Sequence, residues 1–310
     1  MPPTPTSLDI WQKTIDRTQL ALASGALQSI PTHYEWVEEN GIQFLVRVVD
    51  NIRRKVEARQ AQKKKGPDFN PFLPYEEDLF VCDLSPTHVA LLNKFNVVDH
   101  HLLIITRHFE SQESLLTLQN FEALWAVLQE IDGLAFYNGG RLAGASQPHK
   151  HLQVVPLPFV PNDPMPHARL PIEPVIQSAL PKTGVATVPI LPFQHAIAPL
   201  HLQPTTDPTD AVKQLQKTYH ALLQTCGLAV GDGVTPAAAS GAYNLLATRD
   251  WMFLIPRIEE SCGKIGVNSL GFAGALLVKN EKQLAKLKQR QPLEILAQVA
   301  KPALPTEPPS

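Results

Sequence analysis

Apolar residues at Leu8, Trp11, Ile15 and Leu22 recur at helical spacing, so residues 8–26 are expected to form a helix with one buried face, closed near Gly25. Residues 43–49, 79–81 and 89–92 carry enough apolar and β-branched side chains to read as strands. The continuous run 101–106 suits a central strand covered on both faces. Phe121, Leu124, Trp125, Leu128 and Ile131 give the clearest helical repeat, with Gly133 expected as its C-cap. A strand starts at Leu134, a glycine-rich loop covers 138–148, and 149–157 reads as a strand bounded by Pro148 and Pro158. Prolines then crowd residues 156–208 with few periodic runs, so that stretch is expected to cross between parts of the molecule without entering the core. Beyond it, Val212, Leu215, Tyr219, Leu222 and Leu223 mark a helix over 210–226. Strands follow at 243–247 and 251–255, and residues 281–300 are mostly helical before a proline-rich tail.

One pattern occurs twice. Leu92, Asn93 and Lys94 lead into the apolar run 102–106, then Arg107, Glu110 and Ser111. Tyr243, Asn244 and Leu245 lead into Met252, Phe253, Leu254 and Ile255, then Arg257, Glu260 and Ser261. Both read as hairpins, which suggests two related halves. The expected fold class is α+β, an antiparallel sheet with flanking helices. Its divisions are an N-terminal half over 1–160, a proline-rich crossing segment over 161–209 and a C-terminal half over 210–310.

Composition narrows the function classes. At 310 residues, the chain is expected to hold two halves or one composite body. Hydrophobic residues make up 44% and charged residues 18%, enough apolar content for a core and too much for a disordered chain. A net charge of -2 argues against nucleic-acid or membrane-surface partners, whose grip rests on surplus Lys and Arg. The run Lys63, Lys64, Lys65 reads as a solvated loop. Cys82, Cys226 and Cys262 are too few and too far apart for a disulfide framework or a zinc knuckle, and fit a reducing cytoplasm. No apolar run approaches the roughly 18 residues of a membrane span, and residues 1–7 lack the basic-then-apolar pattern of a signal peptide.

The chemistry concentrates at His149, Lys150, His151, Leu152 and Gln153. In a strand, His149, His151 and Gln153 share one face, where two imidazoles and an amide need polar partners. The loop in front carries Gly139, Gly140, Gly144, Ser146 and Gln147, whose N–H groups and side chains can hold phosphate oxygens. Neutral imidazole is a good nucleophile at pH 7. A carbonyl accepting its Nδ1–H fixes the tautomer and leaves Nε2 free, while the neighbouring His and Gln can donate to phosphate oxygens as charge develops. Residue chemistry alone leaves three readings open: nucleotidyl transfer, a metal site, or a structural pair.

Residues 144–153, Gly-Ala-Ser-Gln-Pro-His-Lys-His-Leu-Gln, closely resemble the signature of the ATP adenylyltransferase family, the diadenosine tetraphosphate phosphorylases. That family is the transferase branch of the histidine-triad superfamily. The likeness runs from about Phe44 to Lys279, through Leu92–Phe95, Tyr137–Gly140, Tyr243–Leu246 and Trp251–Met252. It implies a histidine-triad-like fold and a two-step displacement. His151 attacks the α-phosphorus, ATP leaves an adenylyl-histidine, and orthophosphate releases ADP. Gln153 stands where hydrolases of the superfamily carry a third histidine; an amide donates to phosphate but cannot act as a base toward water.

The resemblance also carries binding roles onto single positions. Asn138, Gly144, Ala145, Ser146 and Gln147 match the phosphate and nucleotide loop; Asn93 and Lys94 match a pair near the nucleotide; Asn268, Ser269 and Lys279 match a distal set. Lys55 matches a basic residue near the phosphates, with Arg53 and Arg54 beside it. Trp251 reads as core, and His100, His101 and His108 as structural or surface residues. Expected partners are nucleotides and phosphate. Magnesium is expected with the polyphosphate, with no protein metal site and no organic cofactor. Two rivals remain. A sugar-1-phosphate uridylyltransferase carries prolines between the histidines, where this chain has Lys150 and Leu152. A nucleotide-binding regulator without turnover is the other.

Overall fold

The computed structural model describes residues 8–49, 70–161, 163, 168–235 and 237–303. Lys55, with Arg53 and Arg54, and the Lys63–Lys65 run lie outside the described residues.

The strands are β1 (Thr32–Glu39), β2 (Ile42–Val49), β3 (Phe80–Asp83), β4 (His88–Leu92), β5 (Leu102–Thr106), β6 (Gly133–Gly139), β7 (His151–Pro156), β8 (Ala196–Pro199), β9 (Tyr243–Ala247), β10 (Trp251–Pro256), β11 (Ser261–Cys262), β12 (Ile265–Gly266) and β13 (Ala275–Val278). The helices are α1 (Ile10–Ser24), α2 (Leu118–Glu130), α3 (Glu173–Ala179), α4 (Pro208–Thr225), α5 (Ser269–Phe272), α6 (Glu281–Arg290) and α7 (Pro292–Val299). Eight strands pair in the order β3-β4-β5-β7-β6-β9-β10-β8, all antiparallel, and carry one sheet through both halves. The expected α+β class is what the chain adopts. A smaller sheet, β1-β2-β13, departs from the all-antiparallel expectation because β13 runs parallel to β2.

Strand alternation assigns each face of the large sheet its cover. One face presents Ala90, Leu102, Ile104, Leu152, Val154, Leu245 and Leu254 to the buried sides of α1, α2 and α4. On α4 the periodic residues Val212, Leu215, Tyr219, Leu222 and Leu223 are all buried, and Asp207 caps the helix by accepting from the N–H groups of Thr209 and Asp210. The opposite face is split. Phe72 packs there with Val89, Leu91, Leu103 and Ile105. Leu134, Phe136, Leu246, Phe253 and Ile255 pack instead with Phe44, Val46 and Leu276 of the small sheet and with Leu287 and Leu296 of α6 and α7. Each fully buried side chain of this size stabilises the fold by about 1.5–3 kcal/mol. His151 and Gln153 sit between the two clusters, because Ile105 faces His151 while Leu103 and Phe136 flank Gln153.

Two expectations need correction. Gly133 does not cap α2: Ile131 already turns extended, and Gly133 opens β6. A Cβ there would lie 2.8 Å from the Val155 carbonyl, so close approach to β7 is what the glycine permits. The proline-rich stretch is not outside the core. It supplies α3 and the edge strand β8, and it buries Leu170, Ile172, Ile176, Phe193 and Ile197. Prolines here shape the path between elements without keeping the apolar residues out. Trp251 is core, as its neighbours predict. Among the described residues, no helix is long and apolar enough to cross a membrane.

Candidate active site

β7 begins at His151, and His149 lies just before it in an isolated bridge to Ser111. The expected shared face holds: the Phe72 ring lies 5.6 Å from that of His149 and 5.4 Å from that of His151. The two imidazoles nevertheless differ in what they offer.

His151 Nδ1–H donates to the carbonyl of His149 at 2.8 Å, which fixes the tautomer. Its Nε2 has no hydrogen-bond partner among the described residues. Burial pushes the imidazole pKa from 6.5 down to about 4, so the ring is the free base at neutral pH. His149 has no such spare atom. Its Nε2–H reaches both the carbonyl and Oγ1 of Thr106, each at 2.8 Å, and its Nδ1 accepts from Asn70 Nδ2 at 2.8 Å. Thr106 Oγ1 in turn donates to His108 O at 2.8 Å, which leaves it an acceptor toward the ring. The expectation that His149 donates to phosphate therefore meets two occupied nitrogens. What His149 supplies is its backbone oxygen, held still for His151.

Gln153 Oε1 accepts from His101 Nε2 at 3.0 Å, and Asn93 Nδ2 lies 3.1 Å from His101 Nδ1. His101, expected to be structural or at the surface, is thus buried against the motif. Burial pushes its pKa to about 4 as well. His100 does behave structurally, with Thr18 Oγ1 3.0 Å from its Nδ1 and an edge contact to Trp11.

A second missed residue joins the strands. Pairing of β6 with β7 stops at Phe136 and Gln153. Beyond that point the Gln112 side chain fills the gap, accepting from His151 N–H at 2.7 Å and donating to Asn138 O at 2.9 Å and His151 O at 3.2 Å. Behind the motif, the fully buried Lys150 ammonium bonds Glu110 at 2.8 Å and Leu115 O at 3.1 Å, so its charge is paired.

The glycine-rich loop folds back on itself. Gly140 N–H bonds Asn138 O, Ala143 and Ala145 N–H bond Gly140 O, and Gly144 N–H bonds Arg141 O. The N–H groups of Gly144 and Ala145, expected at the phosphates, are therefore spent within the loop. Those of Ser146 and Gln147 have no partner among the described residues. Gly144 sits at φ +88, where a Cβ would lie 2.8 Å from Val267 O and 2.9 Å from Asn268 Cβ. Only glycine lets the loop meet the C-terminal half so closely.

That meeting is secured by a buried network. Asn138 Oδ1 accepts from Ser269 Oγ at 2.7 Å, Asn244 Nδ2 at 2.9 Å and Ser269 N–H at 3.0 Å. Asn244 Nδ2 also reaches Ala143 O and Ser269 Oγ, each at 2.9 Å, and its Oδ1 accepts from Arg257 at 2.5 Å. Arg257 donates further to Glu259 O, Val267 O and Val299 O. Burial lowers its pKa to about 10, and it stays charged at neutral pH. Ser269, expected to meet the nucleotide, is instead fully buried as a support for Asn138. Asn268 caps α5 by accepting from Leu270 N–H. Lys94 holds both carboxylate oxygens of Glu76, at 2.6 and 2.7 Å. Lys279 stands exposed just past β13, its N–H bonded to Gln283. The structure thus places His151 and Gln153 on β7 with His149 just before it, Asn138 on the neighbouring β6 with the 144–147 loop beyond, Asn93 just past β4, and Lys279 just past β13 of the small sheet. Among the described residues, no group of three His, Cys, Asp or Glu side chains could hold a metal ion.

Residues 3–178 match the family model described as the Ap4A phosphorylase N-terminal domain, and residues 189–302 match the ATP adenylyltransferase C-terminal domain. The chain is 28% identical over 303 residues to diadenosine 5',5'''-P1,P4-tetraphosphate phosphorylase 2 of Saccharomyces cerevisiae, covering 89% of each chain. It is 25% identical over 305 residues to protein APA1 of the same yeast, covering 92% of this chain and 91% of that one. The crystal structure of yeast Ap4A phosphorylase Apa2 in complex with Ap4A superposes with a TM-score of 0.73 at 24% identity, covering 95% of this chain and 98% of that one. This last likeness concerns the fold.

Proposed function

This chain belongs to the Ap4A phosphorylase family, and from that premise we propose that it is a nucleotidyltransferase splitting diadenosine tetraphosphate with phosphate into ATP and ADP, and catalysing the reverse adenylyl transfer. In the first step His151 Nε2 attacks the α-phosphorus. An N–P bond forms, the bond to the bridging oxygen breaks, and ATP leaves with that oxygen. In the second step an oxygen of orthophosphate attacks the same phosphorus, the N–P bond breaks, and ADP leaves a restored imidazole.

The observation that carries this reading is the bond from His151 Nδ1–H to His149 O, which orients a neutral ring with its second nitrogen unbonded. The polyphosphate leaving group is a weak base and needs little general-acid help, in keeping with a motif that holds no carboxylic acid. The Gln153 amide and the N–H groups of Ser146 and Gln147 are the donors for oxygens on which charge builds. Magnesium would travel with the polyphosphate, since a hard cation prefers phosphate oxygen and water. We place the reaction in the cytoplasm, in keeping with three free, buried cysteines.

The test is incubation with diadenosine tetraphosphate, with and without phosphate. Production of ATP and ADP only with phosphate supports the proposal. Tight binding without product, or uridylyl transfer to a sugar phosphate in its place, would overturn it.

A further inference from the structure

We propose that Asn93 and His101 form a hydrogen-bond relay that fixes which end of the Gln153 amide faces the substrate, so that His101 is a positioning residue for adenylyl transfer; this rests on the function proposed above. The relay follows from donor and acceptor types. Asn93 Nδ2 can only donate, so the His101 Nδ1 atom 3.1 Å away is the bare, accepting nitrogen. Asn93 Oδ1 is turned the other way, toward Phe95 N–H. The His101 proton is therefore on Nε2, which faces Gln153 Oε1 at 3.0 Å. A donor on that side holds the carbonyl end of the amide toward His101 and leaves the NH2 end for the cleft. A flipped amide would set N–H against N–H in a place where His101 is 5% and Gln153 8% exposed, with little water to mend it.

Three further observations hold the relay in register. Asn93 N–H bonds His101 O at 2.8 Å, pinning the backbones together. The Phe136 ring lies 5.8 Å from that of His101. Burial keeps His101 neutral with a single ring proton, so the direction of donation does not reverse at physiological pH. The consequence is chemical. An NH2 aimed at the reacting phosphate stabilises charge developing on its oxygens, whereas a carbonyl oxygen there repels it. Asn93 thereby gains a role different from direct nucleotide contact, acting through His101 and Gln153.

The experiment is a double-mutant cycle on phosphorolysis of diadenosine tetraphosphate by the full-length protein. His101→Leu should lower kcat about 10- to 100-fold, short of losing the donor outright, with KM little changed. His101→Gln, whose side-chain N–H can replace Nε2–H, should recover most of that loss. Added to Gln153→Ala, His101→Leu should cost nothing more, because the relay has lost its end point. If His101→Leu does not fold, Asn93→Ala replaces it in the cycle, with a smaller kcat loss that again vanishes beside Gln153→Ala. The proposal is overturned if the relay variant keeps wild-type kcat, or if its loss multiplies with that of Gln153→Ala. A wild-type protein that makes no ATP and ADP would instead sink the proposed reaction, so the two failures are distinguishable.

Discussion

The hairpins β4–β5 and β9–β10 are written with the same succession of residue types, and they treat their polar groups differently. In the first, Asn93 is half-buried and bonds His101, while Arg107 turns outward to Asp83. In the second, Asn244 and Arg257 both turn inward and satisfy each other, Asn138, Ser269 and the Ala143 carbonyl of the glycine-rich loop. The first half, extended by β7, retains spare hydrogen-bonding atoms at His151 and beside Gln153. The second half spends its polar groups on a closed network. A repeated supersecondary unit can thus leave hydrogen-bonding atoms spare beside a neighbouring strand in one copy and clamp the glycine-rich loop in the other.

Variants in the two regions should separate activity from stability. The largest effect is expected for His151→Ala. Loss of a covalent step costs several kcal/mol, so activity should fall below about a hundredth of wild type while the melting temperature holds. Arg257→Leu should do the reverse. It strands buried carbonyls of Val267 and Val299 and the Asn244 oxygen, and a denaturant titration should show about 3 kcal/mol of lost stability. Unchanged stability with collapsed turnover would erase the distinction between the halves.

Acidity probes the first half. Burial holds His88, His101 and His151 near pKa 4, well below the 6.5 of an exposed imidazole. As pH falls from about 6.5 toward 4, the unfolded chain takes up protons that the native state refuses, so stability should decline through that window. Above it these groups contribute no slope. Denaturation midpoints at pH 7.5, 6 and 5 measure this, and a constant midpoint would contradict the neutral, buried rings. The smallest expected effect is a change of preference. Gln153→His introduces a ring that can serve water, and should raise hydrolysis relative to phosphorolysis by a few fold. An unchanged ratio of AMP to ADP would remove the amide argument.

Much of this was legible in the chain because it is local. Apolar runs announced β5, β9 and β10, and the period-two reading placed His151 and Gln153 on one face. β1 escaped because its residues, with Glu35, Glu38 and Glu39, lie half-exposed on the small sheet and carry a weak apolar signal. β8 was hidden among prolines. His101 could not be assigned, since its meeting with Gln153 depends on the β5–β7 register, fixed by packing between segments 52 residues apart. Gln112 and Arg257 were missed for the same reason: each earns its role from carbonyls contributed by distant strands. His149 was placed on the right face, but only the structure reveals that Asn70 and Thr106 occupy both its nitrogens.

The central claim is that His151 Nε2 carries the nucleotide between the two displacements. Its most direct test is intact mass spectrometry after mixing the protein with diadenosine tetraphosphate in the absence of phosphate, followed by peptide mapping. One added AMP is expected on the peptide containing His151, discharged as ADP when phosphate is supplied. A protein that turns over substrate with no adduct, or with the adduct on another residue, would contradict it.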